Sequence, residues 1–211
     1  MKRSSIIVLS ILVISFLIGI YFYYQFPDKI VSHWDSQGQP NGYMSKFLGL
    51  FLMPLISVAL FLLFMLLPKI DPFKKNIQKF RNYFDGFIII IFVFLFYLYL
   101  LTIFWNLGYT FNMILFLIPA FTVLLYYAGI LIEHAKRNWF IGIRTPWTLS
   151  SEKVWNKTHK LGAKLFKVSA VIALLGLVFQ KYAIYFVIIP LIFSVLDTTI
   201  YSYFEYKKLR K

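Results

Sequence analysis

Between residues 138 and 159 the chain carries Asn138, Trp139, Gly142, Arg144, Trp147, Glu152, Trp155 and His159. Arg144 supplies a planar five-donor fork suited to carboxylates or phosphates, and the flanking Gly142 and Pro146 fix the turn that aims it. Regular helix cannot run through Thr145–Pro146, because the proline ring removes a donor and restricts the residue before it. Helix restarts near Thr148–Ser151, whose hydroxyls can cap it, and Glu152 in the first turn suits the positive end of the helix dipole. On that helix Glu152, Trp155 and His159 share one face at i, i+3 and i+7, close enough to touch. Tryptophans alone would be explained as membrane-belt anchors. Together with Arg144, Glu152 and His159 they predict a packed polar knot.

Two further groups of residues invite chemistry. His33 and Trp34, followed by Gly38 and Pro40, combine stacking with hydrogen bonding, and Asp28 and Asp35 beside them favour a cationic ligand. The plainer reading is an interfacial tryptophan among turn residues. Asp197 lies inside the last apolar segment, where a carboxylate is costly and faces a partner or a water-filled cavity. A salt bridge to Arg144, Lys164 or Lys167 is one account of it, and a proton-coupled step is the other.

Catalysis finds no support. His33, His134 and His159 are divided between loops on opposite sides, and there is no H-E-x-x-H, Gly-x-Ser-x-Gly or phosphate-binding glycine loop. With no cysteine, disulfides, thiolate nucleophiles and Cys-based zinc sites are excluded. No enzyme, metal or cofactor is expected.

The elements that must position these residues are membrane spans. The chain has 211 residues, 60% of them hydrophobic and only 14% charged, against about 25% charged in a soluble domain. The apolar excess falls in six runs, near 6–26, 47–67, 87–107, 111–132, 161–180 and 182–201. Each approaches the ~20 residues that cross ~30 Å of hydrocarbon. The fifth is weakest and spans only if Lys164 and Lys167 snorkel to the headgroups. The first is long and lacks a small-x-small cleavage site, so it reads as a retained span. An all-α polytopic protein with six transmembrane helices is predicted. With the N-terminus inside, only Lys29, Lys46 and Lys181 of the 22 Lys and Arg fall outside, as the positive-inside rule demands. The +14 net charge therefore reports topology and attraction to anionic lipid, with no direct nucleic-acid partner.

The outer loop, residues 27–46, is rich in Gly, Pro and Asn and reads as turn-like. In the first inner loop, residues 68–86, Ile77, Phe80 and Phe84 recur at helical spacing among basic residues, which predicts an interfacial helix. Lys153, Lys157, Lys160, Lys164 and Lys167 form a stripe opposite Trp155 and His159. Lys153, Lys157 and Lys160 are its partner-facing part. Residues 1–132 form a four-helix module with the His-Trp loop, and residues 133–211 a second module with the inner motif and two helices.

The run Asn138, Gly142-Ile143-Arg144-Thr145-Pro146-Trp147-Thr148-Leu149-Ser150, Glu152, Trp155, Thr158-His159 and Gly162 resembles the signature of the SdpI family of membrane proteins. Pro27, Ile30, His33-Trp34, Gly38, Pro40 and Lys46 resemble the module commonly found upstream of it. The resemblance implies a bacterial cell-membrane protein giving immunity against a secreted toxin peptide. It also implies a signal receptor that sequesters a small helix-turn-helix autorepressor at the membrane. By the same resemblance the outer loop would meet the toxin and the inner motif would be a latch and signalling surface. The alternative is a transporter or channel in which Asp197, Arg144 and His159 serve an ion or substrate path.

Overall fold

The long apolar runs form helices because every backbone polar group within hydrocarbon must be satisfied inside its own segment. The computed structural model describes residues 2–209 in the order α1 (Lys2–Tyr23), β1 (Lys29–Trp34), β2 (Pro40–Ser45), α2 (Lys46–Ile70), α3 (Lys74–Lys79), α4 (Arg81–Asn106), α5 (Met113–His134), α6 (Pro146–Ser150), α7 (Glu152–Ala173) and α8 (Ala183–Lys208). The chain is an all-α polytopic protein apart from one two-stranded hairpin. Five helices are long and apolar enough to cross a membrane: α1, α2, α4, α5 and α8 with the turn before it.

The predicted fifth span, 161–180, takes a different form. Helix α7 begins earlier, at Glu152, and ends at Ala173, followed by short 3-10 turns at Leu174–Leu177 and Gln180–Tyr182. It nevertheless runs the length of the bundle. Its first turns belong to the knot, while Lys181, just beyond it, accepts a hydrogen bond from Gln37 of the hairpin at 3.4 Å. The first half is amphipathic, with lysines outward and Val154, Trp155, Thr158, His159, Gly162 and Ala163 buried. The molecule therefore has a hairpin end and a knot end. Lys29, Lys46 and Lys181 lie at the former.

The first inner loop departs from expectation. Its helical spacing is real, but the helix breaks at Phe80, and Ile77, Phe80 and Phe84 do not lie on a lipid interface. They pack with Val8, Leu131, Ala135, Ile141 and Trp155 in the largest core cluster. A protein surface covers them, so the apolar face expected to meet lipid is spent on the core.

The outer loop departs as well. Residues 29–34 and 40–45 pair antiparallel, with irregular register around His33. The chain reverses through Asp35–Gln39, where the Asp35 N–H donates to the Gln39 carbonyl and the Gly38 N–H to the Asp35 carbonyl. Gly38 takes a φ of 76°, the left-handed region that favours glycine.

Candidate functional site

The knot is built around Trp155 and His159, which sit one turn apart on the buried face of α7. Their rings stack at 3.9 Å with 17° between planes. Trp155 is 0% exposed, and its indole N–H donates to the Ala135 carbonyl at 2.8 Å, tying α7 to the end of α5. The Ile143 backbone N–H donates to His159 Nε2 at 3.1 Å, so Nε2 must keep its lone pair. Nδ1 then carries the proton and donates to the Trp155 carbonyl at 2.9 Å. The first of these contacts requires the neutral ring, since a protonated Nε2 could not accept. Burial pushes the His159 pKa down to about 4, with the Trp155 carbonyl acting in the opposite sense.

The loop leading to α6 closes over this pair. Gly142 has a φ of 114°, and a Cβ there would lie 2.4 Å from His159 Nε2. Asn138, fully buried, donates to the Lys136 and Ile141 carbonyls and accepts from the Phe140 and Ile141 N–H groups. Thr145 and Thr148 cap each other's backbone N–H groups at the start of α6, with Pro146 at the first helical position where its missing N–H is harmless. Thr145 also meets the Ser202 hydroxyl of α8 at 2.9 Å, and the Trp147 ring meets Tyr203 edge-on at 5.2 Å. The Ser151 hydroxyl caps α7 by accepting from Val154 N–H. One short loop thus joins α5, α7 and α8.

Three expected contacts are not made. Glu152 is exposed and does not join Trp155 and His159, because the capping of α7 falls to Ser151. Arg144 is also exposed. Its fork meets no carboxylate and makes one bond, from Nη1 to the Trp139 carbonyl at 2.9 Å. Asp197 is half-buried and pairs with none of Arg144, Lys164 and Lys167. Lys167 reaches Glu133 on α5 instead.

The lysine stripe is outward, as its periodicity implies, yet it is not uniformly free. Lys157 binds Glu205 of α8 at 2.5 Å, and Lys208 binds the other oxygen of the same carboxylate at 2.6 Å. Lys153, Lys160 and Lys164 are exposed without such a partner.

Sequence reasoning missed Asp71. Its carboxylate is buried at the C-terminal cap of α2 and accepts from Phe73 N–H at 2.6 Å and Trp139 N–H at 2.9 Å. It fastens the first inner loop to the knot. The available signal was an acid ahead of most of the basic residues of that loop, which holds only one other acid, Asp85.

At the hairpin end, His33 is exposed, with Nδ1 at 2.9 Å from the Ser32 hydroxyl. Trp34 is half-buried and meets Trp105 of α4 edge-on at 6.0 Å. Pro40 pairs with Trp34 across the hairpin. Two asparagines, neither evident from sequence, hold the hairpin down. The Asn106 amide accepts from Val31 N–H at 2.8 Å and donates to the Val31 carbonyl at 3.0 Å. Asn112, the cap of α5, donates to the Gln37 carbonyl at 2.9 Å.

A family model described as the SdpI/YfhL protein family matches residues 134–202, from the end of α5 through the knot to α8. A domain of unknown function (DUF1648) matches residues 10–58, which include the hairpin. No solved structure matches. The immunity protein SdpI of Bacillus subtilis (strain 168) is 30% identical over 208 residues, covering 98% of each chain. The chain belongs to the SdpI/YfhL family.

Proposed function

We propose that this protein protects the bacterium that carries it against a secreted toxin peptide from its place in the cell membrane. The observation that carries this reading is the full-length similarity to an immunity protein, 30% over 98% of both chains. Both ordered regions outside the spans fall within that match, so it is not a likeness of apolar helices alone. The test is expression in toxin-sensitive cells followed by peptide challenge. Survival is expected. Undiminished killing of cells with confirmed membrane expression overturns the reading.

The finer proposal adds signalling. Peptide meets the hairpin around His33, Trp34, Gly38 and Pro40, and a small helix-turn-helix autorepressor is held at the knot end. A continuous chain of contacts supports coupling: the hairpin touches the cap of α5 through Asn112 and the turn before α8 through Lys181, and those helices enter the knot through Ala135 and Ser202. Coupling further requires that the peptide bind two states of the bundle with different affinity. Because Lys157 is committed to Glu205, the repressor-facing surface is narrowed to Lys153, Lys160 and the unused donors of Arg144. Recovery of the repressor with membranes only after peptide addition, abolished by Lys153→Glu, is the expected result. Peptide-independent recovery would remove signalling and leave immunity standing.

A further inference from the structure

We infer that the cleft between α5 and α7 at the knot end is a binding site for an anionic phospholipid. The cleft has a volume of about 530 Å³ and is bordered by Lys160, Lys164 and Lys167 on α7 and by Tyr126 and Glu133 on α5. The three lysines recur at i, i+4 and i+7, which puts them on one side of the helix. Glu133 neutralises Lys167. Lys160 and Lys164 are exposed and form no salt bridge among the described residues, although Lys160 lies near enough to Glu133 to feel its charge. Three ammonium groups therefore share a single carboxylate at the mouth of the cleft, which leaves an excess of positive charge there.

Below them the lining becomes apolar. Val168 and Val171 are 45% and 61% exposed and continue along the same helix toward the hairpin end. Lys164 and Val171 are separated by seven residues, about 10 Å of helix. A phosphodiester at Lys160 and Lys164 would thus lie one such distance from a surface suited to acyl chains. Cationic mouth and apolar floor together match a phospholipid. A free phosphate would use only the mouth, and a soluble acidic partner would leave the valines uncovered. Basic pockets of this kind between membrane helices bind anionic headgroups.

The test titrates the full-length protein in detergent with phosphatidylglycerol or phosphatidylcholine and reads bound lipid by native mass spectrometry. Wild type should prefer phosphatidylglycerol. Lys160→Gln with Lys164→Gln should reduce that preference by about thirtyfold, from roughly fivefold per lysine near a charged surface. Lys160→Arg with Lys164→Arg should retain it, which separates charge loss from misfolding. Lys74→Gln with Lys75→Gln removes equal charge from exposed positions of α3 and should leave the preference unchanged. Equal binding of the two lipids by wild type would overturn the site. So would an equal loss in the α3 variant, which would assign the effect to bulk charge. Displacement of phosphatidylglycerol by inorganic phosphate at matched concentration would show an anion site with no lipid specificity.

Discussion

The knot and the hairpin are both ordered regions outside the apolar spans, but they are ordered by opposite means. In the knot the backbone is irregular, and order comes from side chains bonding to backbone: Asn138, Thr148, Trp155, His159 and Asp71 all do so while buried. The hairpin has backbone pairing of its own, irregular only around His33, and Asn106 and Asn112 are the chief side chains that bond it to the bundle. Irregular backbone that is buried must find partners for every N–H and C=O. The knot is therefore intolerant of change, whereas a hairpin with exposed residues can accept a ligand without being rebuilt. Substitution should expose this difference.

The largest contrast is between two tryptophans. Trp155→Ala removes a ring buried on all sides and leaves the Ala135 carbonyl unpaired, so a loss of about 3–5 kcal/mol is expected. Trp34→Ala removes a half-buried ring whose Nε1 has no protein partner, and about 1–2 kcal/mol is expected. Chemical unfolding in detergent measures both. Equal losses would mean that the hairpin is as integral to the fold as the knot.

Acid should strike the knot selectively. The His159 pKa is lowered in the folded protein to about 4 from 6.5, so the unfolded chain binds more protons between those values. The stabilisation is complete above pH 6.5 and is lost as pH falls toward 4, roughly 3 kcal/mol over the whole window. Unfolding of wild type and His159→Gln, measured from pH 7.5 to 4.5, should show the steeper decline in wild type. Parallel curves would place the acid sensitivity elsewhere.

Two glycines give a smaller contrast. Gly142 and Gly38 both have positive φ, and a Cβ on either would collide, with His159 Nε2 at 2.4 Å or Asn112 Oδ1 at 2.2 Å. The histidine is buried and held on both nitrogens, while Asn112 is half-buried and can turn away at the cost of its bonds to the Leu115 N–H and the Gln37 carbonyl. Gly142→Ala should cost about 2–3 kcal/mol and Gly38→Ala about 1–2 kcal/mol. Thermal midpoints of the two variants test the order.

These contrasts also mark how far the sequence could be read. Apolar runs revealed the long helices because membrane spans need unbroken hydrophobicity. Trp155 and His159 were legible as partners because helical periodicity is local. Asp71 was not, since its contact with Trp139 depends on two loops meeting across 68 positions. Phe80 and Phe84 showed the right spacing and the wrong destination, because periodicity does not say whether lipid or protein covers an apolar face. The hairpin was obscured by its own Gly, Pro and Asn, which mark turns more strongly than Lys29–Trp34 marks a strand.

Arg144 should show the smallest effect on stability and is for that reason the most informative residue of the knot. It is exposed, and only Nη1 is engaged, on the Trp139 carbonyl. One such bond contributes about 0.5–1.5 kcal/mol, and a lysine ammonium can donate it. Arg144→Lys should therefore unfold within about 0.5 kcal/mol of wild type and Arg144→Ala within about 1.5 kcal/mol, by the same denaturation assay. The fork's remaining donors meet no partner among the described residues. If they recognise a carboxylate or phosphate on another molecule, both variants should lose repressor recruitment at wild-type abundance, because lysine cannot reproduce the planar fork. Full recruitment by Arg144→Lys would reduce the residue to a positive charge near the lipid. A large loss of stability in that variant would instead make Arg144 part of the closed structure, and the knot would then have no open polar edge with which to meet a partner.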